Sequence, residues 1–198
     1  LEFLEESLKY LRRLLGAEKL DAIGMDLHPG HSTRRLAKRW AEESGIEPVE
    51  VQHHHAHAAA LLVESKLDEM VAITVDGTGY GDDGVAWGGE VLLSNLKEYR
   101  RVGHLREVPL LGGEKAVYDV RRIAFALAEM TGGGLDYFPD EQAGLFRKMM
   151  ARSGRTTSFG RVLDAVSAYL GVCTSRTYDG EPAMKLERWL NEARHLDL

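Results

Sequence analysis

The first 66 residues alternate between helical and strand-like hydrophobic spacing, and this alternation limits the fold more than any other feature. Helical spacing covers 2–16 and 34–44, and short apolar runs typical of buried strands cover 20–27 and 48–51. A third helix is predicted directly after the second strand. Strands that alternate with helices form parallel sheets, and ligands bind beyond the carboxyl ends of such strands. The sequence therefore predicts an α/β layer with its functional residues after the two strands.

Four histidines lie within five positions immediately after the second predicted strand: His53, His54, His55 and His57. His53 and His57 are spaced i, i+4, which on a helix places both imidazoles on one face, within reach of a single metal ion. The alanines and leucines that follow favour a helix here. The alternative is a solvated histidine tract, such as a tag, but a tag is terminal and this run is internal. The spacing predicts metal ligation by His53 and His57.

The pattern changes at residue 71. A β-branched strand at 71–75 leads into a glycine-rich segment, and strands at 85–93 and 99–108 complete an antiparallel meander. From about residue 113 the chain is mostly helical, with helices expected at 115–130, 140–152, 158–170 and 181–193. We therefore expect three parts, divided at 1–70, 71–110 and 111–198.

The segment from Asp76 to Gly84 contains four glycines in nine residues. Glycines let a phosphate approach the backbone, and a carboxylate at a strand end suits a metal. The alternative is a Gly-Asp hairpin without a ligand. The segment is not a Walker A loop, because no Gly-Lys-Ser/Thr follows. Asp76 is expected to join His53 and His57 in an open site for iron or zinc.

In the helical part, Gly160 at a helix start and Asp164 one turn later are arranged to receive a ribose. The alternative is a serine-capped helix with Arg161 and Asp164 on its surface. The single cysteine, Cys173, has no neighbouring base in the sequence and is expected to be a buried bystander.

Composition excludes several classes of function. A formal net charge of −6 argues against a nucleic-acid surface. No apolar run approaches the roughly 20 residues that span a bilayer. One cysteine excludes an internal disulfide framework and fits a cytoplasmic location.

Taken in order, six segments resemble the transferase domain of the hydrogenase-maturation carbamoyltransferase family HypF. The segments that carry the resemblance are Asp26-Leu27-His28-Pro29, Val51–His57, Asp76–Gly81 with Trp87–Glu90, Pro109–Gly113, Gly160–Ala165 and Tyr178–Glu181. The resemblance covers about residues 20–190. That domain is related to tRNA threonylcarbamoyl transferases and to antibiotic O-carbamoyltransferases.

The resemblance implies an actin/sugar-kinase/heat-shock ATPase-like α/β fold with ribonuclease-H-like lobes, present here as an incomplete internal piece with a helical region. It implies that ATP or carbamoyl-adenylate, a divalent metal and sometimes Mg²⁺ bind between the lobes. The implied reaction moves a carbamoyl group to the C-terminal cysteine of a HypE-like acceptor protein, for the cyanide ligand of nickel–iron hydrogenase. No membrane or nucleic-acid partner is expected.

By position, the resemblance assigns residues to three roles. The metal ligands are His53, His57 and Asp76, and no residue is assigned as catalytic with certainty. The nucleotide-facing residues are Gly77, Thr78, Gly79, Tyr80, Gly81, Gly160, Asp164 and Gly180. Substrate contacts are expected at Asp26, His28, Gly112, Gly113 and Arg161.

Two alternatives stay open at the level of sequence. One is an O-carbamoyltransferase of the same fold that acts on a small hydroxylated molecule. The other is a non-catalytic metal- or nucleotide-binding module, which follows if lobe elements needed for transfer lie outside this chain.

Overall fold

The computed structural model describes residues 1–17 and 19–193. Its first part contains helices α1 and α2 and strands β1 and β2, followed by helix α3. The bounds are α1 Glu2–Leu14, β1 Ile23–Asp26, α2 Ser32–Ser44, β2 Pro48–Val51 and α3 His53–Ser65. The two strands are parallel, with Asp26 opposite Val51. This is the element order predicted from the sequence, and it brings residue 26 next to the start of the histidine helix.

A second sheet follows, in the order β3-β4-β7-β6, with β5 paired to β4. Its strands are β3 Glu69–Tyr80, β4 Ala86–Asn95, β5 Tyr99–His104, β6 Val108–Pro109 and β7 Arg155–Thr156. The antiparallel pairs β3–β4 and β4–β5 form the predicted meander. The single strand expected at 99–108 is wrong, because the chain leaves β5 after His104 and pairs again at Val108 with β7.

Strand β7 was not predicted. It lies in the Gly154–Thr157 segment, which the sequence pattern indicated as a connection between helices, and it pairs with β4 through Thr156 and Ala86. A segment of two residues is too short to show the alternating hydrophobic pattern of a strand. Residues 155 and 156 form a strand only because they pair with β4, which lies far away in the sequence.

Helices dominate the remaining described chain: α4 Lys115–Tyr118, α5 Arg121–Thr131, α6 Asp140–Met150, α7 Phe159–Tyr169 and α8 Glu181–Ala193. The single helix predicted at 115–130 is wrong. Asp119 leaves helical geometry at φ −96°, ψ 86°, and its carboxylate accepts from Arg121 Nε at 2.7 Å. Within the described ranges, no helix is both long and apolar enough to cross a membrane.

The core has two clusters that fix different parts of the molecule. The larger one is centred on α5 and includes Ile123, Phe125 and Phe146. The smaller one contains Ala58, Ala72, Trp87 and Leu92, and it joins α3 to β3 and β4. The histidine helix therefore packs on the second sheet, which places its first turn beside the carboxyl end of β3.

Candidate metal site

The start of α3 is fixed by a side-chain cap. Gln52 Oε1 accepts a hydrogen bond from the backbone N–H of His55 at 2.8 Å, which satisfies one of the free donors of the first helical turn. The helix consequently begins at His53, and the i, i+4 relation between His53 and His57 holds as predicted.

Asp76 reaches this helix because the β3–β4 pairing is interrupted. The register shifts between Val75 and Gly79, and such a bulge re-aims the side chains it contains. The bulged backbone lies very close to β4. Any side chain at Gly88 would clash with it, because a Cβ there would lie 2.5 Å from the carbonyl oxygen of Asp76. A glycine opposite the bulge is therefore required for Asp76 to sit where it does.

The structure brings the three predicted ligands together. His53 Nε2 lies 2.9 Å from Asp76 Oδ2 and 3.3 Å from His57 Nε2. One donor atom from each of the three residues falls within 4.8 Å of the others. His57 is exposed and the other two are half-buried, so the cluster opens to solvent on one side.

Asp26 determines which nitrogen of His53 carries the proton. Its Oδ2 lies 3.2 Å from His53 Nδ1, and a carboxylate can only accept, so Nδ1 donates. In the neutral ring, Nε2 then presents a lone pair toward Asp76 and His57. A carboxylate behind a metal-binding histidine is the usual arrangement that fixes the ring and raises its basicity.

The converging atoms fit a divalent cation. Asp76 Oδ2 is buried and has no hydrogen-bond partner, although it faces His53 Nε2. The lone pairs of His53 Nε2 and Asp76 Oδ2, whose atoms are 2.9 Å apart, need a positive charge between them. A proton can bridge only these two atoms, whereas a metal ion can also bind His57 Nε2. Ligands about 2.1 Å from a tetrahedral zinc are about 3.4 Å apart, close to the separations found here.

Asp26 and His28, expected to contact substrate, lie beside the metal ligands. Asp26 Oδ1 accepts from the backbone N–H of His28 at 2.7 Å. The His28 ring stacks on His31 at 4.4 Å and meets the edge of Tyr80 at 5.1 Å. Outside its own turn, the Asp26 carboxylate meets His53 Nδ1 and the Asp26 carbonyl accepts from Arg34, a placement that suits Asp26 to orient the His53 ring.

The glycines after Asp76 serve contacts that the sequence did not reveal. A Cβ on Gly79 would lie 2.4 Å from His54 Cε1 and 2.8 Å from His53 Cδ2. A Cβ on Gly81 would lie 2.1 Å from the Trp87 indole nitrogen. The Cα faces of both glycines are therefore filled by rings, whereas the nearest atom to a Cβ on Gly77 is Arg161 Nη2 at 3.8 Å.

The predicted hairpin bounds also change. Gly77 to Tyr80 belong to β3, with the Thr78 hydroxyl donating to the carbonyl of Gly77. The turn itself runs from Gly81 to Gly84, whose φ is +76°. Gly77, unlike Gly79 and Gly81, therefore has room for a ligand next to Asp76.

The start of α7 packs directly on this strand. Ser158 caps the helix and its hydroxyl donates toward the carbonyl oxygens of Asp76 and Gly77, at 2.9 and 2.7 Å. A Cβ on Gly160 would lie 2.9 Å from Gly77 Cα. Gly160 therefore permits close packing of helix on strand.

Arg161 and Asp164 are buried. The alternative interpretation of this segment, a serine-capped helix with both residues on its surface, is therefore wrong about their exposure, although the cap by Ser158 is present. Their side chains pair at 3.0 Å, and Arg161 Nε and Nη1 have no hydrogen-bond partner. Burial raises the pKa of Asp164; Arg161 and Arg176 oppose the rise and Asp179 adds to it. Gly180, at φ +77°, follows Asp179 and keeps this turn beside the pair.

Gly112 and Gly113 are not brought to the metal site. They line a cavity of about 430 Å³ whose other walls come from Leu110, α6 and the segment before β7. Gly112 adopts φ +84°, and the backbone carbonyl of the preceding residue, Leu111, accepts from Arg122 Nη1 at 3.3 Å. None of the metal-site residues lines that cavity.

Two features near the site had no sequence signal. His54, which the sequence treats as a neighbour of the ligands, is fully buried with Nε2 4.0 Å from Asp76 Oδ2. Glu90 is fully buried, and it accepts from the N–H groups of Gly88 and Gly89, from the Thr157 hydroxyl and from Arg101 Nε at 2.7 Å. Arg101 also lies 4.1 Å over the Trp87 ring.

Comparison with known proteins places these features in a family. A family model described as the HypF Kae1-like domain matches residues 1–64. A second, described as the carbamoyltransferase Kae1-like domain, second subdomain, matches residues 72–197. The chain belongs to the HypF family.

Individual HypF proteins are similar over almost the whole chain. The probable carbamoyltransferase HypF of Methanocaldococcus jannaschii is 40% identical over 197 residues, and the alignment covers 93% of this chain and 26% of that protein. Carbamoyltransferase HypF2 of Cupriavidus necator is 39% identical over 194 residues, covering 94% and 24%. The chain thus spans about a quarter of the length of these relatives.

Solved HypF structures share the fold. Full-length HypF in its phosphate- and nucleotide-bound form matches with a TM-score of 0.81 and 31% identity, covering 94% of this chain and 25% of that one. HypF of T. kodakarensis matches with a TM-score of 0.80 and 36% identity, over 94% and 27%. The expected fold class is confirmed.

Proposed function

We propose that this chain performs the carbamoyl-transfer step of a HypF protein. It would move the carbamoyl group of carbamoyl-adenylate to the C-terminal cysteine of a HypE-like acceptor, in maturation of the nickel–iron hydrogenase centre. The names of the relatives support carbamoyl transfer, and the HypF structure with phosphate and nucleotide bound supports a nucleotide substrate.

The observation that carries the proposal is the convergence of three lone-pair atoms from His53, His57 and Asp76. These residues would hold one divalent cation, iron or zinc, since both accept imidazole and carboxylate ligands. A cation there supplies Lewis-acid polarisation of a carbamoyl or phosphoryl oxygen.

The chain's own residues prepare the site around that cation. Asp26 fixes the tautomer of His53. Ser158 and Gly160 anchor the backbone of Asp76 and Gly77. The open face at Gly77, next to the Arg161 guanidinium, suits the adenylate phosphate, while Asp164 and the Gly180 turn mark the region proposed for the ribose.

The transfer itself requires a thiolate from the acceptor. Its sulfur forms a bond to the carbamoyl carbon, the carbon–oxygen bond to the adenylate breaks, and AMP leaves with the electron pair. Cys173 is not suited to this role, because it is buried and its thiol donates to the carbonyl of Ser175 at 3.1 Å. This agrees with the prediction that it is a bystander.

The test supplies carbamoyl-adenylate and a peptide that ends in cysteine, and follows the carbamoylated peptide by mass spectrometry. We expect transfer by the wild-type protein and by His55→Ala, whose ring contacts only the Asn95 carbonyl and Tyr99, and none by His57→Ala. Transfer to a small polyol instead of the peptide would favour the O-carbamoyltransferase. Binding of metal and ATP without transfer to either would contradict the proposal and favour a binding module.

A further inference from the structure

His54 lies in the middle of the histidine cluster, yet it is the only one of its four rings that is fully buried. Its Nε2 has no hydrogen-bond partner, and neither has Asp76 Oδ2, 4.0 Å away. Two unsatisfied buried polar atoms that face each other are costly, and they call for an explanation.

Gln52 determines which of the two His54 nitrogens carries the proton. Its Oε1 is committed to the N–H of His55, so its Nε2 faces the Tyr80 carbonyl at 3.1 Å and His54 Nδ1 at 3.2 Å. An amide Nε2 only donates, so His54 Nδ1 accepts and its proton sits on Nε2.

The ring is also held in place by its packing. Gly79 leaves room for it, since a Cβ there would lie 2.4 Å from His54 Cε1. The Trp87 ring packs with a centroid separation of 5.9 Å. The Nε2–H of His54 therefore has a fixed direction, toward the carboxylate of Asp76.

We infer that His54 is a positioning residue that holds Asp76 for metal binding by donating its Nε2–H to the carboxylate. Forming this hydrogen bond requires the N–O separation of 4.0 Å to close by about 1 Å. Asp76 Oδ1 already accepts from the Gly77 N–H at 2.6 Å. With His54 the carboxylate is held from two sides, as ligands of metal sites usually are.

This inference rests on the proposed metal site, and a Co²⁺ titration followed by visible absorbance separates the two. His54→Phe keeps an aromatic ring and removes the donor, and we expect its dissociation constant for Co²⁺ to rise about 10- to 100-fold. His54→Gln places an N–H donor near the same point and should recover most of the affinity. If wild type takes up no Co²⁺, the metal site itself fails; if it does and His54→Phe binds equally well, only the role of His54 fails.

A double-mutant cycle excludes a merely structural effect of the substitution. If His54 acts through Asp76, adding His54→Phe to Asp76→Ala should cause almost no further loss of Co²⁺ affinity. Fully additive losses would overturn the inference. Should His54→Phe fail to fold, the same cycle with His54→Asn, which is too short to reach Asp76, gives the same two outcomes, with His55→Asn as the control for an altered helix.

Discussion

Two groups of charged side chains, one around Glu90 and one around Asp76, flank the glycine-rich part of β3 and β4. They differ in whether each hydrogen-bond acceptor faces a donor. Both carboxylate oxygens of Glu90 face donors, which are two backbone N–H groups, the Thr157 hydroxyl and Arg101. Around Asp76, the ring atoms His53 Nε2 and His57 Nε2 converge with Asp76 Oδ2, which has no hydrogen-bond partner.

The contrast distinguishes a structural role from a binding role. The Glu90 group is complete within the chain and joins β4, β5 and the segment after β7. In the Asp76 group, three side chains converge without being matched in this way, and a bound cation would match them, as proposed above. Burial of charged groups alone does not indicate a ligand site; the balance of donors and acceptors does.

Removing Glu90 should have the largest effect on folding. Glu90→Ala leaves the N–H groups of Gly88 and Gly89 and the Thr157 hydroxyl without their buried acceptor, and it takes one of two carboxylates from Arg101, which keeps Asp83. Breaking a buried charged network in this way costs about 3–5 kcal/mol. Urea denaturation should show this loss, with the exposed Glu98→Ala as a control that changes the free energy of unfolding by less than about 0.5 kcal/mol. A stable Glu90→Ala protein would show that this group does not hold the sheet together.

Substituting two glycines of the same strand tests what each contacts. Gly79→Ala puts a methyl group into the rings of His53 and His54 and should destabilise the protein by about 1–3 kcal/mol, as overpacking does. Gly77→Ala has space and should cost less, while it weakens ATP binding measured by calorimetry. Equal stability of the two variants would contradict the packing role of Gly79.

Asp26→Asn tests whether the tautomer of His53 matters. The asparagine keeps an oxygen for the His28 N–H, but its amide donates toward His53 Nδ1, which moves the imidazole proton to Nε2 and blocks that ligand. We expect metal affinity to fall at least about 10-fold, with little change on Asp68→Asn, whose exposed side chain lies outside the cluster. Unchanged affinity in Asp26→Asn would remove Asp26 from the site.

Acidification should affect the Glu90 group in a defined direction. Burial acts to raise the Glu90 pKa, but the hydrogen bonds from Thr157, Gly88, Gly89 and Arg101 outweigh it and hold the pKa below its ordinary 4.5. The charge of Glu90 therefore stabilises the fold fully above pH 4.5, and this contribution is lost as the pH falls through the lower folded-state pKa.

The check is the difference in unfolding free energy between wild type and Glu90→Gln. It should be constant from about pH 7 to about pH 5 and shrink at lower pH. A difference that grows as the pH falls would show that the Glu90 pKa is raised in the fold.

The sequence was sufficient to predict that His53, His57 and Asp76 come together, and insufficient to predict the contacts around them. The i, i+4 spacing of His53 and His57 and the place of Asp76 at a strand end are local properties, so the triad could be predicted. The proton on His54, the partners of Glu90 and the rings against Gly79 depend on contacts between residues far apart in the chain, such as Gln52 with Tyr80 and Glu90 with Thr157. The sequence predicted phosphate approach or a hairpin turn for the glycines of this segment, and at Gly79 the structure shows ring packing instead.

Metal content tests the central claim most directly. After incubation with Zn²⁺ and removal of unbound ion, elemental analysis of wild type, His57→Ala and His55→Ala compares the metal held by each. The account predicts that His57→Ala holds about one equivalent less than wild type, while His55→Ala matches wild type. Equal zinc in His57→Ala and wild type would contradict it.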